Sequence, residues 1–176
     1  TSEGLEDRRL LTVMSSFVSA TGTLTIAMDA DADTATITDD GTNILINAAD
    51  PDDVDGGGTA AVAIADVNVV NVTGVANTQS VIFNAVNAGF DNDVAITVAG
   101  TVENATISAV LNIASLDINA TTSISIGADV TTSGTQDYTG AVTLSGGDRT
   151  LTATEVNTEN TVDGGAAALN IVGNAD

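Results

Sequence analysis

The sequence predicts an all-β protein, and within that class a parallel β-helix (β-solenoid) with an N-terminal cap or arm. Apolar and polar residues alternate with a period of two, which indicates strands with one buried face. The alternating runs are short and recur at a spacing of roughly 10 to 15 residues. Hydrophobic residues make up 43% of the chain but aromatic residues only 2%, so we expect a narrow core of small aliphatic side chains. An antiparallel β-sandwich is the alternative, because the strand spacing suits both folds.

The clearest alternation lies in residues 121–153, where small polar residues separate the apolar ones and glycine-containing turns separate the strands. A period of two places every second residue on the same face. The residues expected to face inward here are Ile124, Ile126, Val142, Leu144, Leu151 and Ala153.

Similar runs extend through the rest of the chain from residue 21 onward. An Asp-Gly turn at 39–41 predicts a hairpin or corner, and the Asp- and Gly-rich segment 50–58 predicts a loop. Part of 101–119 also fits a helix, but alternation favours strands. The expected inward residues are Leu24, Ile26, Met28, Ala35, Ile37, Ile44, Ile46, Val62, Ile64, Val67, Val69, Ile107, Leu111, Ile113, Leu116, Ile118, Leu169 and Ile171.

Residues 1–20 differ from the remainder and are expected to form a separate N-terminal arm or cap before a single β-domain at 21–176. They hold Arg8 and Arg9, two of the three cationic residues of the chain. The segment could cover the first strand of the sheet, or it could dock on the acidic surface of a neighbouring subunit. Helical spacing predicts a short amphipathic helix on the residues Leu10, Val13, Met14 and Phe17.

Charge and composition exclude several function classes. A formal net charge of −21 disfavours binding to nucleic acid and to anionic membranes. The chain has no cysteine and no histidine, which removes most zinc, haem and iron–sulfur schemes. No apolar run has the length of a membrane-spanning helix. With few aromatic residues and no histidine or lysine, we do not expect an enzyme.

Two groups of aspartates are candidate calcium ligands, because hard carboxylate oxygens at alternate positions can share one cation. Calcium is the one cofactor that the sequence suggests, and none is required. The other interpretation of both groups is a solvated acidic surface in which aspartate favours loops and opposes aggregation. The residues are Asp29, Asp31 and Asp33 in the first group and Asp50, Asp52, Asp53 and Asp55 in the second.

Residues 5–12, LEDRRLLT, resemble the LEDRRLL-type signature found near the N-terminus of large exported proteins of planctomycetes and related marine bacteria. In those proteins the motif precedes an exported β-rich region. The resemblance therefore implies export, with a location outside the cell or on its surface once an unseen export signal has been removed.

Residues 134–154 resemble the Gly-x-Gln-x-Tyr-x-Gly-x-Val-x-Leu units of filamentous-haemagglutinin-like surface proteins. That resemblance implies right-handed β-helix coils in adhesins or surface fibres. Those relatives are far larger and more repetitive, whereas this chain has one good unit. The matching residues are Gly134, Gln136, Tyr138, Gly140, Val142 and Leu144.

From these observations we expect a structural subunit of an extracellular or cell-surface filament, whose partner is another copy of itself joined head to tail. The alternative is an adhesin module that binds a cell-surface glycan or a protein through calcium-stiffened loops. The expected subunit-interface residues are Leu5, Arg8, Arg9, Leu10, Leu11, Met14, Phe17, Leu169 and Ile171.

Overall fold

The structure is a computed structural model that describes residues 13–29, 32–47, 52–53, 61–75, 78–84, 90 and 93–175. These residues are all-β: they form sixteen strands in one mixed sheet and contain a single 3-10 turn, Ile64–Asp66, but no α-helix. The strands are β1 Val13–Val18, β2 Thr23–Met28, β3 Thr34–Asp39, β4 Ile44–Ile46, β5 Asp52–Asp53, β6 Val69–Gly74, β7 Ser80–Phe83, β8 Ala95–Gly100, β9 Asn104–Ile107, β10 Leu111–Ile113, β11 Ser115–Ile126, β12 Val130–Thr132, β13 Thr135–Leu144, β14 Arg149–Thr158, β15 Val162–Asp163 and β16 Leu169–Ala175.

Most strands belong to three parallel ladders. The first ladder contains β2, β6, β8, the first halves of β11 and β13, and the second half of β14. The second contains β3, β7, β9, the second halves of β11 and β13, and β15. The third contains β10, β12, the first half of β14, and residues 169–172 of β16, whose last residues pair with the second half of β14. From β8 onward the chain therefore visits the three ladders in the same order on each pass.

Successive late passes are offset by close to 20 residues. Asn157 donates to Asp137 and the hydroxyls of Ser125 and Ser145 pair, each across a separation of 20 residues. The first pass is longer, since Thr23 aligns with Val69. It contains the antiparallel hairpin of β3 and β4, whose turn at 39–41 matches the predicted Asp-Gly turn. The period is thus regular only in the later part of the chain.

In-register pairing stacks the inward side chains into columns that form the core. Every inward residue predicted between 107 and 153 is buried, so this part of the sequence prediction is confirmed. All four aromatic residues of the chain are buried as well. One column in the second ladder, exposed by 2% or less, consists of Ala35, Val81, Ala105, Ile124 and Val142.

The predicted helix near the N-terminus is wrong, because Val13–Val18 forms β1. All six of its residues pair antiparallel with β2. Phe17 is 3% exposed and Met14 is 50% exposed, as expected for residues on opposite faces of a strand. A short isolated helix is marginal in water, whereas the edge of β2 offers β1 a full set of hydrogen bonds.

The expectation that Val62, Ile64, Val67 and Val69 all face inward along strands is partly wrong. Val62, Ile64 and Val67 are buried as expected, but Ile64 begins a 3-10 turn and Val69 is only partly buried. The carbonyl of Gly22 accepts hydrogen bonds from the backbone N–H groups of two residues, Asn68 and Val69. This fixes the register of β6 so that Val70 and Val72 face the core.

The stacking of inward side chains into columns makes a direct prediction about stability. Val142 and Val162 occupy the same column, but Val142 is 2% exposed and Val162 is 39% exposed. We expect Val142→Ala to lower the free energy of unfolding by about 2 kcal/mol through lost burial and a cavity. The matched change Val162→Ala should lower it by less than about 0.5 kcal/mol. Urea denaturation measures the free energy of unfolding of both variants. Equal losses would contradict the difference in burial between the two valines.

Candidate functional site

The two ends of the ladders are covered differently. At the N-terminal end, β1 lies along the outer edge of β2 and β4 lies along that of β3, both antiparallel. The outer side of β1 is itself paired with β5 at Ser16 and Phe17. Antiparallel strands at this end therefore interrupt the parallel stacking and occupy backbone groups that another strand could use.

At the other end, β15 pairs only with β13, and the first part of β16 pairs only with β14. Within the described part of the chain no strand lies on the outer side of either. We refer to these two outer sides, on Val162–Asp163 and Leu169–Ala175, as the C-terminal edge. An edge of this kind presents backbone N–H and C=O groups that can pair with an added strand.

The apolar columns are exposed where they reach the C-terminal edge. Ile171 is partly buried, whereas Leu151, its partner one pass earlier, is 1% exposed. Likewise, Val162 is 39% exposed, whereas its partner one pass earlier, Val142, is 2% exposed. On the outward face, Val172 is 49% exposed. The C-terminal edge thus combines free backbone groups with apolar side chains that earlier passes would bury.

The last pass is rich in acid. Glu155 is partly buried, and Glu159 and Asp163 are exposed. Arg149 is the one cationic residue in the described part of the chain. Its guanidinium donates to the backbone carbonyls of Ser145 and Asp148, so it is held at its own turn. The acidic groups of the last pass therefore lack an ion-pair partner among the described residues.

A row of acidic side chains runs up the outward face of the first ladder beside this edge. Asp117 and Asp137 are directly paired neighbours, and Asn157 follows Asp137. Asp137 accepts hydrogen bonds from Thr135 Oγ1 at 2.9 Å and from Asn157 Nδ2 at 2.7 Å. Burial first, and then the charges of Asp137 and Glu159, raise the pKa of Asp117 above its ordinary value.

An open depression of about 480 Å³ lies beside Asp137 and Asn157, the two members of this row that come later in the chain. Carboxylates predominate among its polar groups, so its chemistry suits a guanidinium or an ammonium group rather than an anion. The residues that line it are Asp137, Glu155, Asn157, Thr158 and Glu159.

Two residues of the predicted Gly-x-Gln-x-Tyr unit form a buried polar network. Gln136 Nε2 donates to the carbonyls of Val130 and Thr152, at 3.2 and 3.0 Å. Tyr138 donates its hydroxyl hydrogen to Gln136 Oε1 at 3.0 Å. Burial, with a smaller effect of the Asp137 charge, raises the pKa of Tyr138. These residues join adjacent passes inside the core and are inaccessible to a ligand.

The structure does not place the first predicted calcium group on one strand face. Asp29 is exposed and Asp33 is 5% exposed, and both lie in the connection between β2 and β3, where Ala32 has a positive φ of 65°. Asp31 lies outside the described residues. Asp29 and Asp33 thus lie outside the flanking strands, and the calcium site at this group stays a prediction.

Of the second group, Asp52 and Asp53 lie in β5, within the segment predicted as a loop, and Asp50 and Asp55 lie outside the described residues. Where side chains are described, no three metal-ligating groups come close enough to hold an ion.

The predicted interface residues separate into three sets. Phe17 is part of the core, so it is not available to a partner. Met14 on β1 is half-exposed, and Leu169 and Ile171 lie on β16 at the C-terminal edge. The remaining predicted interface residues, which lie outside the described part of the chain, are Leu5, Arg8, Arg9, Leu10 and Leu11.

No family model, no curated protein and no solved structure matches this chain. Among the described residues, no helix has the length and apolar character needed to cross a membrane.

Asp117 provides a test of the acidic row. Because its pKa is raised in the folded state, the native protein binds more protons than the unfolded chain in the pH range above the ordinary aspartate value. Its contribution to stability therefore increases as pH falls through the raised pKa and is least favourable at neutral pH. Asp117 is exposed and solvent screens its repulsion, so we expect Asp117→Asn to stabilise the protein at pH 7 by no more than about 0.5 kcal/mol.

The stability gain from Asp117→Asn should shrink as the pH approaches 4, measured by thermal or urea unfolding across pH. Asp66→Asn removes one negative charge from an exposed position in the 3-10 turn and controls for the general effect of lowering net charge. Equal gains from the two variants at pH 7 would contradict a specific repulsion between Asp117 and Asp137.

Proposed function

We propose that the chain is a structural subunit of an extracellular or cell-surface filament, built as a right-handed parallel β-helix that assembles head to tail. Three parallel ladders visited in the same order, with an offset near 20 residues, support stacked coils in preference to an antiparallel sandwich. The observation that carries the functional proposal is the difference between the ends of the first and second ladders: antiparallel strands cover β2 and β3 at the start, and the other end presents the C-terminal edge.

Assembly uses the forces that stack the passes within one chain. An added subunit pairs its backbone with the free groups of β15 and β16, and it covers apolar side chains such as Val162 and Ile171. A contact between two different surfaces that does not close on itself produces a filament. The N-terminal arm, with Arg8 and Arg9, secures the joint against the acidic neighbour.

Resemblance supports a location outside the cell. The chain's LEDRRLL segment and its Gly-x-Gln-x-Tyr unit both resemble parts of exported bacterial surface proteins. A strongly acidic outer surface limits unspecific lateral association, because equal charges repel one another.

Electron microscopy and sedimentation test the assembly directly. At physiological salt, where the Debye length is about 8 Å, we expect purified protein to form unbranched filaments whose mean length increases with protein concentration. Monodisperse monomers over a range of salt and calcium concentrations would overturn the proposal.

Removal of residues 1–12 tests the arm without disturbing the described strands. The truncation must stop before β1, because β1 pairs with all six residues of β2 and Phe17 is part of the core. We expect the truncated protein to keep the β-type circular dichroism spectrum and the melting temperature of the whole chain but to lose filaments. Filaments of unchanged length would show that the arm has no part in assembly.

A further inference from the structure

We infer that the C-terminal edge is the docking surface for residues 5–12 of a second copy, which add to β16 as a further strand. This inference rests on the proposed head-to-tail assembly, and it names both the segment that is bound and the surface that binds it. Three features of the described residues carry it: the length of the free edge, the apolar side chains that reach it, and the sign of the charge around it.

The first feature is the length of the edge. β16 has seven residues, Leu169–Ala175, whose register with β14 shifts between Val172 and Asn174, whereas β15 has two residues. An extended peptide that adds to a sheet edge gains affinity from main-chain hydrogen bonds and specificity from alternate side chains. Residues 5–12 are an eight-residue segment that precedes β1, which is long enough to cover the edge of β16.

The second feature is the apolar surface. Leu169 and Ile171 are partly buried on one face of β16, and Val172 is 49% exposed on the other. A strand that covers them needs apolar residues on both of its faces. In an extended conformation, Leu10 and Leu11 of residues 5–12 point to opposite faces, which meets that need.

The third feature is charge, and it decides between two occupants. If two C-terminal edges met each other, Glu159 and Asp163 of one copy would face the same acidic groups of the other, which is repulsive. The chain has only three cationic residues, and Arg149 is held by the carbonyls of its own turn. Arg8 and Arg9 are the other two. They balance the charges of Glu6 and Asp7, so residues 5–12 are neutral overall and bring two guanidinium groups to an acidic edge that repels a second copy of itself.

Cross-linking in the full chain tests this contact, and the absence of native cysteine makes every cross-link attributable. One variant combines Leu11→Cys with Val172→Cys on β16. Its matched control combines Leu11→Cys with Val110→Cys, because Val110 is 52% exposed and lies in the turn between β9 and β10, away from the C-terminal edge. With a short bismaleimide, we expect a ladder of covalent multimers from the first variant and loss of that ladder in the control. Equal yields from the two variants would overturn the inference.

A charge exchange provides the second measurement. The double change Arg8→Glu and Arg9→Glu should abolish the cross-linked ladder, and adding Glu159→Arg and Asp163→Arg should restore it. A ladder that does not respond to either pair of changes would refute the role of charge. Filaments that form in the microscope without a Leu11–Val172 cross-link would overturn this docking surface while leaving the proposed filament intact. Monomers without any ladder would overturn both.

Discussion

Parallel hydrogen bonding between successive passes is the constraint on which the rest of this structure depends. Each pass supplies backbone hydrogen-bond partners for the next pass. Because the two passes are in register, the inward side chains of one also cover those of the next from one side. Leu116, Gln136 and Val156 show this relation, since each aligns with the one before it and all three are buried. With small aliphatic side chains and four aromatic rings, the core depends on this stacking rather than on a few large residues.

The same constraint determines which polar residues the core accepts. An inward amide is tolerated when it reaches backbone carbonyls that would otherwise be unsatisfied. Gln136 does so at Val130 and Thr152, and Gln79 does so at the carbonyl of Met28, 2.9 Å away. The most distinctive polar residues of the sequence thus stabilise contacts between passes. This explains why a unit that resembles a surface-protein repeat carries no accessible chemistry.

Acidic residues have two roles that composition alone does not separate. Some aspartates bind the chain to itself: Asp129 and Asp148 accept hydrogen bonds from the backbone N–H groups of Thr150 and Ala168, each at 2.8 Å on the following pass. Others repel, as Asp117 and Asp137 do on the first ladder. Composition gives a net charge of −21 but does not tell which carboxylates bind the chain to itself and which repel one another.

The sequence by itself determined the all-β class, the inward residues from Ile107 to Ala153 and the Asp-Gly hairpin turn, because period-two alternation and turn chemistry are local properties. Which strands pair with each other in the ladders depends on residues that are far apart in the sequence. The helical spacing around Met14 and Phe17 gave way to β1 because all six of its residues pair in register with the edge of β2, and the register of β6 followed from the contact with Gly22. The C-terminal edge was likewise decided by tertiary structure. Val142 and Val162 are register partners, and the presence of a covering pass on both sides makes Val142 a core residue while Val162 stays exposed.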